Sequence, residues 1–210
     1  MRSWAKAGFV VVSITVAPEG STASPATSAA DQAMAIDWVE QQDELVGGPL
    51  AGHLDTDRVV AAGNSCGGIT SLGLAGTDPR VRAVFVLSGS SVGPVATVEQ
   101  ADGVMSKVTV PVGFVVGGAE DIANAAATQD YDLLADGVPA FIAARDLGDH
   151  RTVSTEPAIL AEVTEISTNW LDVALNGYEA AREALAADPC AACPPGRWVV
   201  RSKSLEAAPT

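Results

Sequence analysis

Basic residues are scarce in this chain: 12 Lys and Arg stand against 26 Asp and Glu, a formal net charge of −14. The nine arginines and three lysines are scattered singly, with no basic run. That argues against nucleic acid and anionic membranes as partners. Long apolar runs are also missing, and no segment reaches the roughly 18 residues that a membrane span needs. Histidine occurs only as His53 and His150, and cysteine only as Cys66, Cys190 and Cys193. Zinc held by Cys190 and Cys193 would need two further ligands, which so few histidines hardly supply. A redox Cys-x-x-Cys normally opens a helix after a strand, whereas this one lies between Pro189 and Pro194. A small structural disulfide between Cys190 and Cys193 is the expectation, and it fits an oxidising compartment.

What remains is a globular composition, 48% hydrophobic and 18% charged over 210 residues. Such a chain can build one good core, so residues 1–210 are expected to form a single domain, with 187–210 as a Cys-x-x-Cys-containing tail. The N-terminus, with Arg2, Lys6 and then Phe9-Val10-Val11-Val12, has the charge and apolarity of a signal peptide. The run is short, β-branched and without a small-x-small cleavage site, so a buried strand over Phe9–Val16 is expected instead.

Further apolar runs mark strands at Arg58–Ala62, Ala83–Leu87, Val110–Val116 and Ala140–Ala144, with a final Trp198-Val199-Val200. Helical patterns alternate with them at Ala29–Leu45, Cys66–Ala75, Ala123–Leu134, Pro157–Ala174 and Tyr178–Ala186, broken by Gly- and Pro-rich turns. In the first of these helices Met34, Ile36, Trp38 and Val39 form one broad apolar face. Strands without internal alternation, separated by helices, imply an α/β fold with a mainly parallel sheet.

Ligands of such sheets bind beyond the carboxyl ends of the strands. Three reactive side chains are delivered there. Ser65 follows the second strand within Gly63-x-Ser65-x-Gly67, Asp121 follows the fourth, and His150 follows the fifth. Gly-x-Ser-x-Gly between strand and helix suits a nucleophile on a tight turn, with Gly63 and Gly67 removing side chains that would clash. The helix opening at Cys66 aims that residue's backbone N–H at a developing oxyanion. His150 would take the serine proton and return it to the leaving group, and Asp121 would orient the imidazole. Glu120 and Asp146 are alternative acids, Asp149 is expected to point elsewhere, and His53 lies at the opposite edge. The bland alternative is a glycine-rich turn with a structural histidine.

The order Ser, Asp, His, together with several local patterns, resembles the α/β-hydrolase superfamily. The patterns are Ala35-Ile36-Asp37-Trp38, Gly63-Asn64-Ser65-Cys66-Gly67-Gly68, Asp78-Pro79-Arg80-Val81, Gly117-Gly118-Ala119-Glu120-Asp121-Ile122-Ala123 and Gly148-Asp149-His150. Trp170-Leu171, Leu175-Asn176-Gly177, Cys190 to Cys193 and Trp198 extend the likeness to the C-terminus. Within the superfamily the chain is similar to secreted microbial hydrolases related to dienelactone hydrolases and cutinase-type polyester hydrolases. The resemblance implies hydrolysis of small or polymeric carboxylic esters through an acyl-enzyme, without metal or organic cofactor, and an extracellular location.

The front of the chain departs from that pattern. Such hydrolases usually begin with further strands, and a loop among them supplies a second oxyanion N–H. The expectation is a truncated or minimal hydrolase with an incomplete oxyanion hole, slower by about 10²–10³ for one missing donor. With a strand missing between them, Phe9–Val16 and Arg58–Ala62 must either pair directly or leave a gap, and one sheet face is expected to be partly bare, which would favour homo-oligomers. A non-catalytic binding module and an acyltransferase are the competing functions. A fluorophosphonate probe would label Ser65 in an esterase and leave a binder untouched.

Overall fold

The computed structural model describes residues 2–14, 28–93 and 96–208. After a short helix α1 (Arg2–Lys6), the chain runs α2 (Ala29–Glu44), β1 (Val59–Asn64), α3 (Cys66–Ala75), β2 (Val81–Leu87), α4 (Val98–Met105), β3 (Val112–Val116), α5 (Asn124–Leu133) and β4 (Ala140–Arg145). It closes with α6 (Thr152–Thr155), α7 (Pro157–Asn176), α8 (Glu179–Ala186) and β5 (Trp198–Lys203). The strands form one sheet in sequence order, β1 to β4 parallel and β5 antiparallel to β4. This is an α/β fold with a mainly parallel sheet, as the alternating pattern implies.

Both faces of the sheet are apolar, which is why its strands carry continuous hydrophobic runs. Val84, Val86, Phe114, Val116 and Ile142 face α2 to α5, where Ile36, Leu72, Leu74, Met105 and Tyr131 pack on them. Ala83, Phe85, Val115, Phe141 and Ala143 face α7 and α8, packed by Val163, Ile166, Trp170, Val173 and Leu185. Trp170 is fully buried; its Nε1 donates to the Val84 carbonyl at 3.2 Å and its ring stacks with Phe141 at 6.3 Å. A Cβ at Gly113 would come within 2.8 Å of that ring, so the strand lacks a side chain where the indole lies. The second face is therefore covered, not partly bare. The crossovers do put α3 to α5 on one face, but the amphipathic α7, opened by Pro157 and closed by Gly177 at φ 61°, supplies the other.

Two expected features change. Residues 9–14 of the expected Phe9–Val16 strand form no ladder, and 15–16 lie outside the described residues. Val10 is 58% exposed. An apolar run becomes a strand only where a neighbour pairs its backbone, and among the described residues β1 pairs with β2 alone. In α2, Ile36 is buried but Met34 and Trp38 face outward, so the broad apolar face is narrower than its sequence implies.

Helix α4 is not among the helical patterns read from the sequence, yet its start carries a local signal. Thr97 accepts from the Gln100 N–H while the Gln100 side chain accepts from the Thr97 N–H, a capping box written Thr-x-x-Gln. The patterns around Asp37 and Arg80 also find a role. Arg80 forms salt bridges with Asp78, Asp37 and Glu40, tying α2 to the approach of β2. Cys190 and Cys193 are disulfide-bonded and buried beside Leu185 of α8.

Candidate active site

The carboxyl ends of β1, β3 and β4 bring Ser65, Asp121 and His150 together. Ser65 directly follows β1 and caps α3 at φ 55°, ψ −119°, a conformation that costs a non-glycine residue energy. Its N–H donates to the Leu87 carbonyl at 2.9 Å, and its carbonyl accepts from the Gly68 N–H at 2.8 Å. The turn is tight because Gly63 and Gly67 touch: a Cβ on Gly63 would lie 2.1 Å from the Gly67 carbonyl. Gly67 itself has open space around its Cβ position, so it is not the second glycine that close packing demands. That one is Gly68, whose Cβ would meet Val86 at 2.7 Å.

Ser65 Oγ and His150 Nε2 are 2.8 Å apart, and His150 Nδ1 is 2.8 Å from Asp121 Oδ1. An ionised carboxylate can only accept, so Nδ1 carries the proton and Nε2 of the neutral ring accepts from the serine hydroxyl. The Asp121 side chain is fully buried, and the imidazole is 27% exposed.

Asp121 is surrounded by donors. Its Oδ1 accepts from the Ala123 N–H at 2.9 Å; its Oδ2 accepts from the Gly117 N–H at 2.8 Å and the Ser88 hydroxyl at 2.7 Å. Burial pushes its carboxyl up, but the hydrogen bonds from Ala123, His150, Ser88 and Gly117 outweigh that and hold it below the usual carboxylate range. It is thus a buried anion hydrogen-bonded to a partly exposed imidazole.

The neighbouring loops are pinned to each other. Gly118 N–H donates to the Gly148 carbonyl at 2.9 Å, and Gly117 approaches so closely that a Cβ would meet the Asp149 carbonyl at 2.6 Å. Asp149 turns away from the imidazole and accepts from the Arg151 and Thr152 N–H groups and the Thr152 hydroxyl. Asp146 accepts from the Leu147 N–H, and Glu120 is exposed in a bridge with Asp149. Of the candidate acids, then, Asp121 alone is hydrogen-bonded to His150. His53 is exposed ahead of β1, remote in the fold from the carboxyl edge.

Cys66 is a free, exposed cysteine at the first position of α3. Its N–H belongs to the helix's first turn, which has no intrahelical acceptor. Ser88, which is not among the candidate residues of the sequence, is part of the site through Asp121. Its one signal is its place beyond the end of a central strand. Among the described residues no three His, Cys, Asp or Glu are grouped to hold a metal ion, and no helix is long and apolar enough to cross a membrane.

With this geometry in view, the comparison with known families is direct: a family model described as PET hydrolase-like matches residues 2–179. The chain belongs to the PET hydrolase-like family. It is therefore an α/β-hydrolase, and an ester hydrolase in the general sense that the family defines. The PET hydrolase-like match ends within α8, so it spans Ser65, Asp121 and His150 but not the disulfide or β5. Members of the family are typically secreted. Among curated proteins none matches the chain.

Proposed function

We propose that this protein is a serine esterase that hydrolyses carboxylic esters, polyesters among them, through an acyl-enzyme on Ser65. The observation that carries the reading is the unbroken chain of hydrogen bonds from Ser65 Oγ through His150 to a buried, ionised Asp121.

In the first half-reaction Ser65 Oγ attacks the ester carbonyl carbon while its proton passes to His150 Nε2. The carbonyl oxygen becomes an anion, stabilised by the Cys66 N–H and the positive end of α3. His150 then gives the proton to the departing alkoxide, which leaves as the alcohol, and the acyl group stays on Ser65. In the second half a water molecule attacks the acyl carbon, His150 takes its proton, and Ser65 leaves with that proton as the carboxylic acid is released. Asp121 keeps Nδ1 protonated and balances the imidazolium in both halves. Ile122 and Leu147, both strongly exposed, stand in the loops that carry Asp121 and His150, and they suit the apolar body of an ester or a polymer surface. The Cys190–Cys193 disulfide fits secretion into an oxidising medium.

The test is hydrolysis of p-nitrophenyl esters, acetate to octanoate, by the protein and its Ser65→Ala variant, with release of soluble acid from polyester film as the polymer assay. Turnover by the protein and none by the variant is expected. Equal rates from both, each shown folded by circular dichroism, would sink the esterase reading.

A further inference from the structure

Strand β2 ends at Leu87, and the next four residues, Ser88-Gly89-Ser90-Ser91, are all buried. Three serines in a buried turn must each find partners, and the partners they find are informative. Ser88 has φ 37°, in the left-handed region that a non-glycine residue enters at a cost, and its hydroxyl donates to Asp121 Oδ2 at 2.7 Å. Gly89 is pressed on the nucleophile turn: a Cβ there would lie 2.8 Å from the Ser65 carbonyl oxygen. Ser91 donates twice to one carboxylate, its N–H to Asp130 Oδ2 and its hydroxyl to Asp130 Oδ1 at 2.7 Å.

Asp130 itself belongs to α5 and is completely buried. Burial pushes its carboxyl up to about 6, against the pull of the two Ser91 donors. A carboxylate is a costly residue to bury, and both of its acceptors are used on one residue of this turn. The turn thus has one anchor and two loads, Asp121 through Ser88 and the Ser65 backbone through Gly89.

We infer that Asp130 is a positioning residue for the Ser65–His150–Asp121 chain: by fixing Ser91 it locks the Ser88–Ser91 turn, which braces the acid and the nucleophile turn together. The inference rests on the esterase reading above. Asp130 touches none of the reacting atoms, so its loss disturbs the rate of the chemical steps and leaves substrate affinity alone. A misplacement of about 1 Å in such a site costs on the order of 10²-fold in rate.

Four variants test this with p-nitrophenyl butyrate as substrate: Asp130→Ala, Asp130→Asn, Ser91→Ala and Ser88→Ala, together with the double variant Asp130→Ala/Ser88→Ala. Asp130→Ala is expected to lower kcat by roughly 10- to 10²-fold with KM within about two-fold. Asp130→Asn should regain most of that, since its amide oxygen accepts from the Ser91 N–H and its NH₂ donates to the Ser91 hydroxyl. In the double variant the two losses should fall short of multiplying, because part of the Asp130→Ala loss acts through the same Ser88 hydrogen bond to Asp121. Ser91→Ala, which removes one hydroxyl and leaves Asp130 in place, should lower kcat several-fold and serves if Asp130→Ala does not fold. An unchanged kcat in folded Asp130→Ala or in Ser91→Ala, or losses that multiply fully in the double variant, would overturn the proposal while Ser65→Ala remained inactive. Activity that survives Ser65→Ala would remove the esterase reading and this inference with it.

Discussion

The molecule buries two aspartates near the carboxyl edge of its sheet, and they behave in opposite ways. Asp121 receives hydrogen bonds from Gly117, Ala123, Ser88 and His150, and its carboxyl is held below the usual range. Asp130 receives them from Ser91 alone and is raised from its ordinary 3.8 to about 6. Burial acts on both in the same direction but weighs more heavily on Asp130, which also has fewer donors to offset it. Asp121 has backbone N–H groups from its own loop and an imidazole able to carry positive charge. Asp130 has a single serine and no such partner. In the proposed roles the first carboxylate serves through its charge, the second through its shape and its two acceptor oxygens.

That contrast is sharpest in the amide substitutions. Asp121→Asn should lower kcat on p-nitrophenyl esters by on the order of 10⁴-fold, because the amide no longer fixes the proton on Nδ1. Asp130→Asn should change kcat only a few-fold. Comparable losses from both would mean that the charge on Asp130 matters as much as that on Asp121.

Stability against pH is the next largest effect, and the two residues pull in opposite directions. For Asp130 the folded-state value exceeds the unfolded one. Its contribution is therefore fully present below about pH 3.8 and is lost as pH rises through about 6. For Asp121 the folded value is depressed, so its contribution is present above the unfolded value and is lost as pH falls through the folded one. Urea unfolding of the protein and of Asp130→Asn should show the difference in stability moving by about 2–3 kcal/mol against the protein between roughly pH 4 and pH 7.5. A flat difference would mean that Asp130 titrates alike in both states.

A smaller effect than that of Asp121→Asn concerns Ser88. Removing its hydroxyl takes one donor from Asp121 and leaves three, so Ser88→Ala should lower kcat about ten-fold without unfolding the protein. A loss as large as that of Asp121→Asn would show that this one hydroxyl, and not the set of donors, keeps Asp121 in place.

Much of this was legible in the sequence, for reasons that differ by element. Helix α3 matches its expected bounds, and α7 begins at Pro157 as expected and runs two residues beyond Ala174, because turn residues and a 3-4 spacing mark them locally. Ser65, Asp121 and His150 could be named because each follows a strand end, and strand ends of a parallel sheet share one edge. Residues 9–14 of the expected Phe9–Val16 strand form no ladder because an apolar run records hydrophobicity and not the presence of a neighbour to pair with. Helix α4 carries its own signal in Thr97 and Gln100, behind a stretch rich in serine and glycine. The burial of Ser88, Ser91 and Asp130 had no local signal at all. Serine and aspartate are usually surface residues, and only the packing of α5 on the turn after β2 buries these.

The central claim is that Ser65 is the nucleophile, activated by His150. The most direct measurement is labelling of the folded protein with a fluorophosphonate, followed by mass spectrometry of its peptides. One phosphonyl adduct is expected, on Ser65, formed far more slowly in His150→Ala. No adduct on Ser65, or one formed equally fast without His150, would contradict it.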